Sequence, residues 1–337
     1  MRRTVLLAVL AALALQVSEP GLVVASAQRS ILDLGTLGSL PSYAFAINDC
    51  GQVVGYSTTA AGGSHAFLWQ HGAMGDLGTL GGDSSAFAIN NRGQVVGLSY
   101  TPSGENHDVL WQHGTLTDLG MTSDTFSPTA INDRGQVVGY GQRPSGQYYH
   151  AFLWQHGTLT DLGNLGGPFD TQAADINNRG QVVGLGSTAA GSSHGFLWQH
   201  GAMTDLGTLG GSNSVASGIN ERGQVVGSSD TAAGSSHAIL WQHGAMIDLG
   251  TLGGSESGAL DINDRGQVVG SSTTTTGSVH AFLWQDGAMT DLGTLAGTTS
   301  SQAYDINERG QIVGYSRAGE SSAHATMWTA GAHMTGC

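Results

Sequence analysis

One nine-residue pattern, Ile-Asn-x-x-Gly-Gln-Val-Val-Gly, recurs down the chain with small variations and limits what it can fold into. Copies begin at Ile47, Ile89, Ile131, Ile176, Ile219, Ile262 and Ile306, at intervals of 42, 42, 45, 43, 43 and 44 residues. All seven tryptophans keep the same period: Trp69, Trp111, Trp154, Trp198, Trp241, Trp284 and Trp328. So does Asp-Leu-Gly, which starts at Asp33, Asp76, Asp118, Asp161, Asp205, Asp248 and Asp291. A fixed period of this length means that one supersecondary unit is stacked on copies of itself.

Within a unit, β-branched and aromatic residues form short runs bounded by glycine, which predicts four strands. In the first unit these are the run into Ile47-Asn48, then 51–56, 65–70 and 73–77. The third run alternates His65, Phe67 and Trp69 against Ala66, Leu68 and Gln70. Both faces are largely apolar, so this strand belongs to a sheet covered on both sides. The turn Asn132-Asp133-Arg134-Gly135 predicts a bulged hairpin closed by a left-handed glycine.

Four strands in 40–45 residues is the period of a β-propeller blade. The mature chain opens on Ile31-Leu32-Asp33-Leu34-Gly35, a fourth-strand motif with no preceding three, and its seventh unit stops after the third strand at Trp328. The expectation is an all-β, seven-bladed propeller of four-stranded antiparallel blades, filling residues 28–337. Its N-terminal strand completes the last blade and so removes exposed sheet edges.

Residues 1–27 read as an export signal. Met1-Arg2-Arg3 is positive, Val5 to Leu15 is apolar but too short to span a bilayer, and Ala25-Ser26-Ala27 has the small-x-small form of a cleavage site. This predicts a secreted, periplasmic or cell-surface protein cut near Ala27, with no membrane insertion afterwards. The two cysteines, Cys50 and Cys337, could then pair; Cys50 stands where the other six units carry arginine.

The chain has 25 acidic residues against 11 basic ones, and all 11 are arginine. Without lysine there is no Schiff base, P-loop or polybasic membrane patch, and nothing in the composition favours nucleic acid. Six arginines (Arg92, Arg134, Arg179, Arg222, Arg265 and Arg309) share one turn position, either as solvated residues or as an anion-binding ring.

His65-Ala66-Phe67, His150-Ala151-Phe152 and His280-Ala281-Phe282, together with the Ile-Asn and Leu-Trp motifs, resemble the HAF repeat family of extracellular bacterial proteins. The resemblance covers residues 31 to about 330. It implies export and a repeat fold, and brings no general activity with it.

The repeated polar residues suit structural roles. Seven equivalent histidines four residues before the tryptophans are expected to be buried imidazoles bonded to neighbouring loops. Asp33 and its equivalents are expected to hold their glycine turns. No metal ligand set, cofactor or catalytic residue stands out. The richest departures from the repeat lie between residues 100 and 150, where Tyr100, Arg143, Tyr148 and Tyr149 form a candidate binding patch. Two readings follow: a noncatalytic binding or scaffold propeller for an extracellular glycan or protein, or a hydrolase or lyase acting on extracellular polymer at the channel mouth. The second requires unique polar residues converging from different blades.

Overall fold

The computed structural model describes residues 29–122, 126–142 and 148–330. Residues 1–27, which are expected to be an export signal, lie outside them, as do Arg143 and Cys337. Seven four-stranded antiparallel sheets stand in a ring. Blade 1 runs outward from the inner strand Gly38–Ile47 through Val53–Thr59 and Ser64–Gln70 to the outer strand Ala73–Asp76. Blades 2 to 6 follow in order. Blade 7 takes Ser300–Ile306, Gln311–Arg317 and His324–Ala330 from the end of the described chain, and its outer strand is Arg29–Asp33. Ile31 lies opposite Trp328 and Asp33 opposite Thr326, so the ring closes as expected. A single 3-10 turn, Glu320–Ser322, interrupts the strands, and no helix among the described residues is long and apolar enough to cross a membrane.

The core lies between blades. One cluster joins Ile47, Val53, Phe67 and Trp69 of blade 1 to Val313, Ala325 and Met327 of blade 7. The next joins Val54 and Ala66 to Ile89, Val95 and Trp111 of blade 2. Both faces of the central strands are therefore dry, which is why Val-Val and Phe-Leu-Trp run without polar alternation. Val-Val is followed by glycine because the inner strand bulges beside it, at Ala44/Ala46 in blade 1. A Cβ on Gly55 would collide with the Tyr43 carbonyl.

The invariant Asn closes the turn and clasps the neighbour. Asn132 Oδ1 accepts the N–H groups of Arg134 and Gln136, each at 3.0 Å, and Gly135 takes φ +75°. Asn132 Nδ2 donates to Gln136 Oε1 at 2.7 Å and to the Asn177 carbonyl of the next blade at 3.0 Å. The interblade bond repeats at all seven interfaces, ending with Asn307 to the Asn48 carbonyl at 3.0 Å. A second closed ring runs beside it. The backbone N–H of each following residue donates to its counterpart's side chain in the next blade, from Asp49 to Asn91 and on to Glu308, which donates to Asp49.

One expectation needs amendment. The seven histidines bond within their own blade, not to neighbouring loops. His65 Nδ1 meets Asp76 at 2.7 Å and His324 meets Asp33 at 2.8 Å, with imidazole exposures of 20–31% across the set. Strand pairing brings them together: Phe67 lies opposite Asp76, so His65 reaches the same carboxylate from two residues away. The aspartates keep their turn role as well, since Asp76 Oδ1 accepts the Gly78 N–H at 2.7 Å. The thiol of Cys50, at the position that carries arginine in the other six units, is engaged in a disulfide.

Candidate functional site

The inner strands surround a central channel, and its wall breaks the repeat. The residue before each Ile-Asn faces inward and reads Ala46, Ala88, Ala130, Asp175, Gly218, Asp261 and Asp305 around the ring. One residue earlier stand Phe45, Phe87, Thr129, Ala174, Ser217, Leu260 and Tyr304. These two positions line a cavity of 190 Å³. It is open at the end away from the Ile-Asn turns. At the turn end, a 390 Å³ mouth is lined by the repeated Ile-Asn-x residues, five of which are Asp49, Asp133, Glu221, Asp264 and Glu308. No basic side chain lines either space among the described residues.

The three wall aspartates are tied to backbone. Asp175 accepts the N–H of Ile176 at 2.7 Å and that of Ile219 in the next blade at 2.9 Å. Asp305 bridges Ile306 and Ile47 in the same way, each at 2.7 Å, and Asp261 accepts from Ile306 at 2.9 Å. Their side chains keep a margin of exposure to the channel yet are enclosed by protein on every side. Burial, reinforced by the charge of Asp261, pushes the Asp175 carboxyl up to about 7. Burial next to Asp305 raises Asp261 well above the carboxylate range, and burial also raises Asp305. Asp261 and Asp305 hydrogen-bond to each other, so the pair holds a proton that two isolated carboxylates would lose.

An aromatic cluster adjoins the acids, with Tyr304 directly preceding Asp305. Phe45 packs edge-on against Tyr304 at 5.4 Å and lies 6.3 Å from Phe87. Tyr43, Tyr56 and Tyr315 extend the cluster behind them, with the Arg317 guanidinium 5.2 Å over the Tyr315 ring. Burial raises the Tyr304 phenol, which therefore stays protonated. This constellation went unnoticed in the sequence, although the signal was present in the letter before each Ile-Asn. The search for departures had looked to loops, while these sit inside the most regular strand.

Of the candidate patch, Tyr100, Tyr148 and Tyr149 are described and Arg143 is not. Tyr148 packs edge-on against Phe169 at 5.6 Å, and Tyr149 against Tyr140 at 5.5 Å. Tyr149 is further held by its N–H to Asp170 at 2.8 Å. Phe169, 48% exposed, was not anticipated as a partner. Tyr100 is exposed at a strand end of blade 2, and no ring contact among the described residues joins it to the others.

The same region does contain an anomaly at the interface of blades 2 and 3. At five other interfaces an inner-strand serine accepts the preceding blade's third-strand N–H, as Ser84 accepts from Ala66 at 2.9 Å. Here Phe126 replaces the serine and Asp108 the alanine. Asp108 is fully buried with both oxygens unpartnered, and burial with the nearby Asp118 pushes its carboxyl up to about 8.

No family model matches the chain, and no curated protein sequence matches it. Solved structures do. The β-propeller domain of the Trilobed protease from Pyrococcus furiosus is 11% identical, with a TM-score of 0.61 over 87% of this chain and 95% of that one. That domain is described as having an open velcro topology, whereas here the first strand is hydrogen-bonded into the last blade. The acylaminoacyl peptidase of Pyrococcus horikoshii is 13% identical, with a TM-score of 0.59 over 90% of this chain, which spans 54% of that protein. A puromycin hydrolase is 13% identical, with a TM-score of 0.55 over 84% of this chain and 51% of its own. At such identities the likeness establishes the propeller fold alone.

Proposed function

We propose that this chain is an exported, noncatalytic binding propeller of the HAF repeat type that receives a small ligand, or one unit of a larger extracellular glycan or protein, at the loop-side end of its channel. The observation that carries this reading is the clustering of repeat-breaking residues around one cavity, where Phe45, Phe87 and Tyr304 meet Asp175, Asp261 and Asp305. Residues that only hold blades together stay constant; unique aromatics and acids converging on a cavity are what a specific site uses. The test is a binding screen of glycans, cell-wall polymers and peptides against the mature chain. Phe87→Ala and Tyr304→Ala should each weaken a genuine ligand at least tenfold while the far-ultraviolet spectrum is kept. If the screen yields no ligand that either substitution weakens, the reading is overturned. Export is tested separately by N-terminal sequencing of the protein recovered outside the cytoplasm, which should begin near residue 28.

A second reading, hydrolysis or elimination on an extracellular polymer, is favoured by the hydrogen-bonded Asp261 and Asp305 beside Asp175. Carboxyls held in different protonation states in one cavity can divide acid and base roles. Here Asp175→Asn should abolish turnover while leaving binding intact. Recovery of the bound ligand unchanged after long incubation rejects catalysis.

A further inference from the structure

We infer that the clefts between blades on the Ile-Asn turn face form a second, repeated set of sites, distinct from the channel, that bind carboxylated saccharides. Between blades 1 and 2 a 390 Å³ pocket has an apolar floor of Leu68, Leu77 and Trp111 and a rim that includes Gln70, Arg92, His113 and Asp76, the last held by His65 at 2.7 Å. Between blades 2 and 3 a 190 Å³ pocket repeats the arrangement with Leu110, Leu119 and Trp154 below and Gln94, Arg134 and His156 above. An apolar floor accepts the C–H face of a sugar ring, and a guanidinium takes a carboxylate in a two-point bond.

Three observations point to a ligand. Arg92 and Arg134 are exposed, and neither guanidinium pairs with an acid among the described residues of a chain carrying 25 acidic groups. Trp111 is 3% exposed with its indole N–H unpartnered in the pocket wall. The hairpin tips also bring an imidazole to each rim. His113 takes φ 51° and His156 φ 49°, as do their equivalents at 71, 200 and 243, a region that His tolerates as Asn and Asp do. His113 thereby shares a pocket with Arg92, and His156 with Arg134, adding a ring nitrogen beside the guanidinium.

The arrangement also predicts avidity. Equivalent arginines recur in six blades, so an extended polyuronate could engage several clefts around one face. The formal charge of -14 repels polyanions in general, so such binding must come from the clefts themselves.

The test uses the whole mature chain with polygalacturonate and its fully methyl-esterified counterpart, read by calorimetry. Binding to the acid form should exceed binding to the ester at least tenfold and should strengthen with oligomer length. The double variant R92Q/R134Q should weaken it several-fold. H113N, which suits the left-handed backbone and so preserves the hairpin, should also weaken it and should reduce the indole N–H shift of Trp111 on titration with galacturonate. Phe87→Ala and Tyr304→Ala in the channel should leave all of this unchanged. Equal binding of the ester, no binding of polygalacturonate, or a double variant that binds as the parent does would each overturn the inference.

Discussion

The two ends of the central channel are built from the same seven strands yet obey different rules. At the turn end, every blade contributes an Asn that donates to its neighbour's carbonyl, and the result is a closed circle of bonds between 2.9 and 3.1 Å. One and two residues earlier on those strands, positions make no such circle and the side chains diverge into aromatics and acids. Repetition is kept where every blade must satisfy both its own turn and the next blade. Nearer the cavity only Asp175, Asp261 and Asp305 reach a neighbouring blade's N–H, so each blade is free to differ, and difference is what a particular site requires.

The comparison can be broken most forcefully at the turn ring. Asn132→Ala strands the Asn177 carbonyl, the Gln136 amide and two turn N–H groups at once, and should cost about 3 kcal/mol by urea denaturation. Asn220→Ala should cost the same within error, because its bonds are the same; a cost confined to one blade would show that the ring is not a shared structural device. The channel wall should answer with a smaller effect that depends on pH. Asp261 is raised above its ordinary 3.8 in the folded state, so the fold favours its protonated form. Its contribution is complete below about pH 4 and is lost as pH climbs toward the raised value. Asp261→Asn should therefore be near neutral at pH 4 and stabilise by about 1 kcal/mol at pH 8 in thermal melts. A variant equally destabilised at both values would mean that the carboxyl is needed ionised. The smallest effect belongs to the perimeter. Asp248→Asn weakens one part-exposed pair with His237 and should cost about 0.5 kcal/mol, reduced further by salt.

The architecture was readable because its determinants are periodic. Trp, Asp-Leu-Gly and Ile-Asn announce third strand, outer strand and inner hairpin, and the stray Asp-Leu-Gly at residue 33 announces ring closure. Pairings that cross the period were harder to read. That His65 would find Asp76 depends on the register of two adjacent strands, which spacing alone does not reveal. The wall acids were hidden for another reason. In sequence, Asp175, Asp261 and Asp305 look like substitutions in a tolerant alanine position, and only the closed ring brings positions 44 to 130 residues apart to one cavity. The loop departures around Tyr148 and Tyr149 were visible in sequence, but their packing against Phe169 and Tyr140 was not.

The shared last blade also sets the order of events when the chain is made. Ser30 finds its hydroxyl partner on Thr329, 299 residues downstream, so the earliest strand to emerge waits for the latest. Six blades can assemble as they appear, but the seventh is incomplete, and the circle of asparagine bonds short of its final link from Asn307 to Asn48, until the seventh unit has been made. Completion is thus a single late step of high contact order, and a truncated chain is left with an open seam rather than a smaller ring.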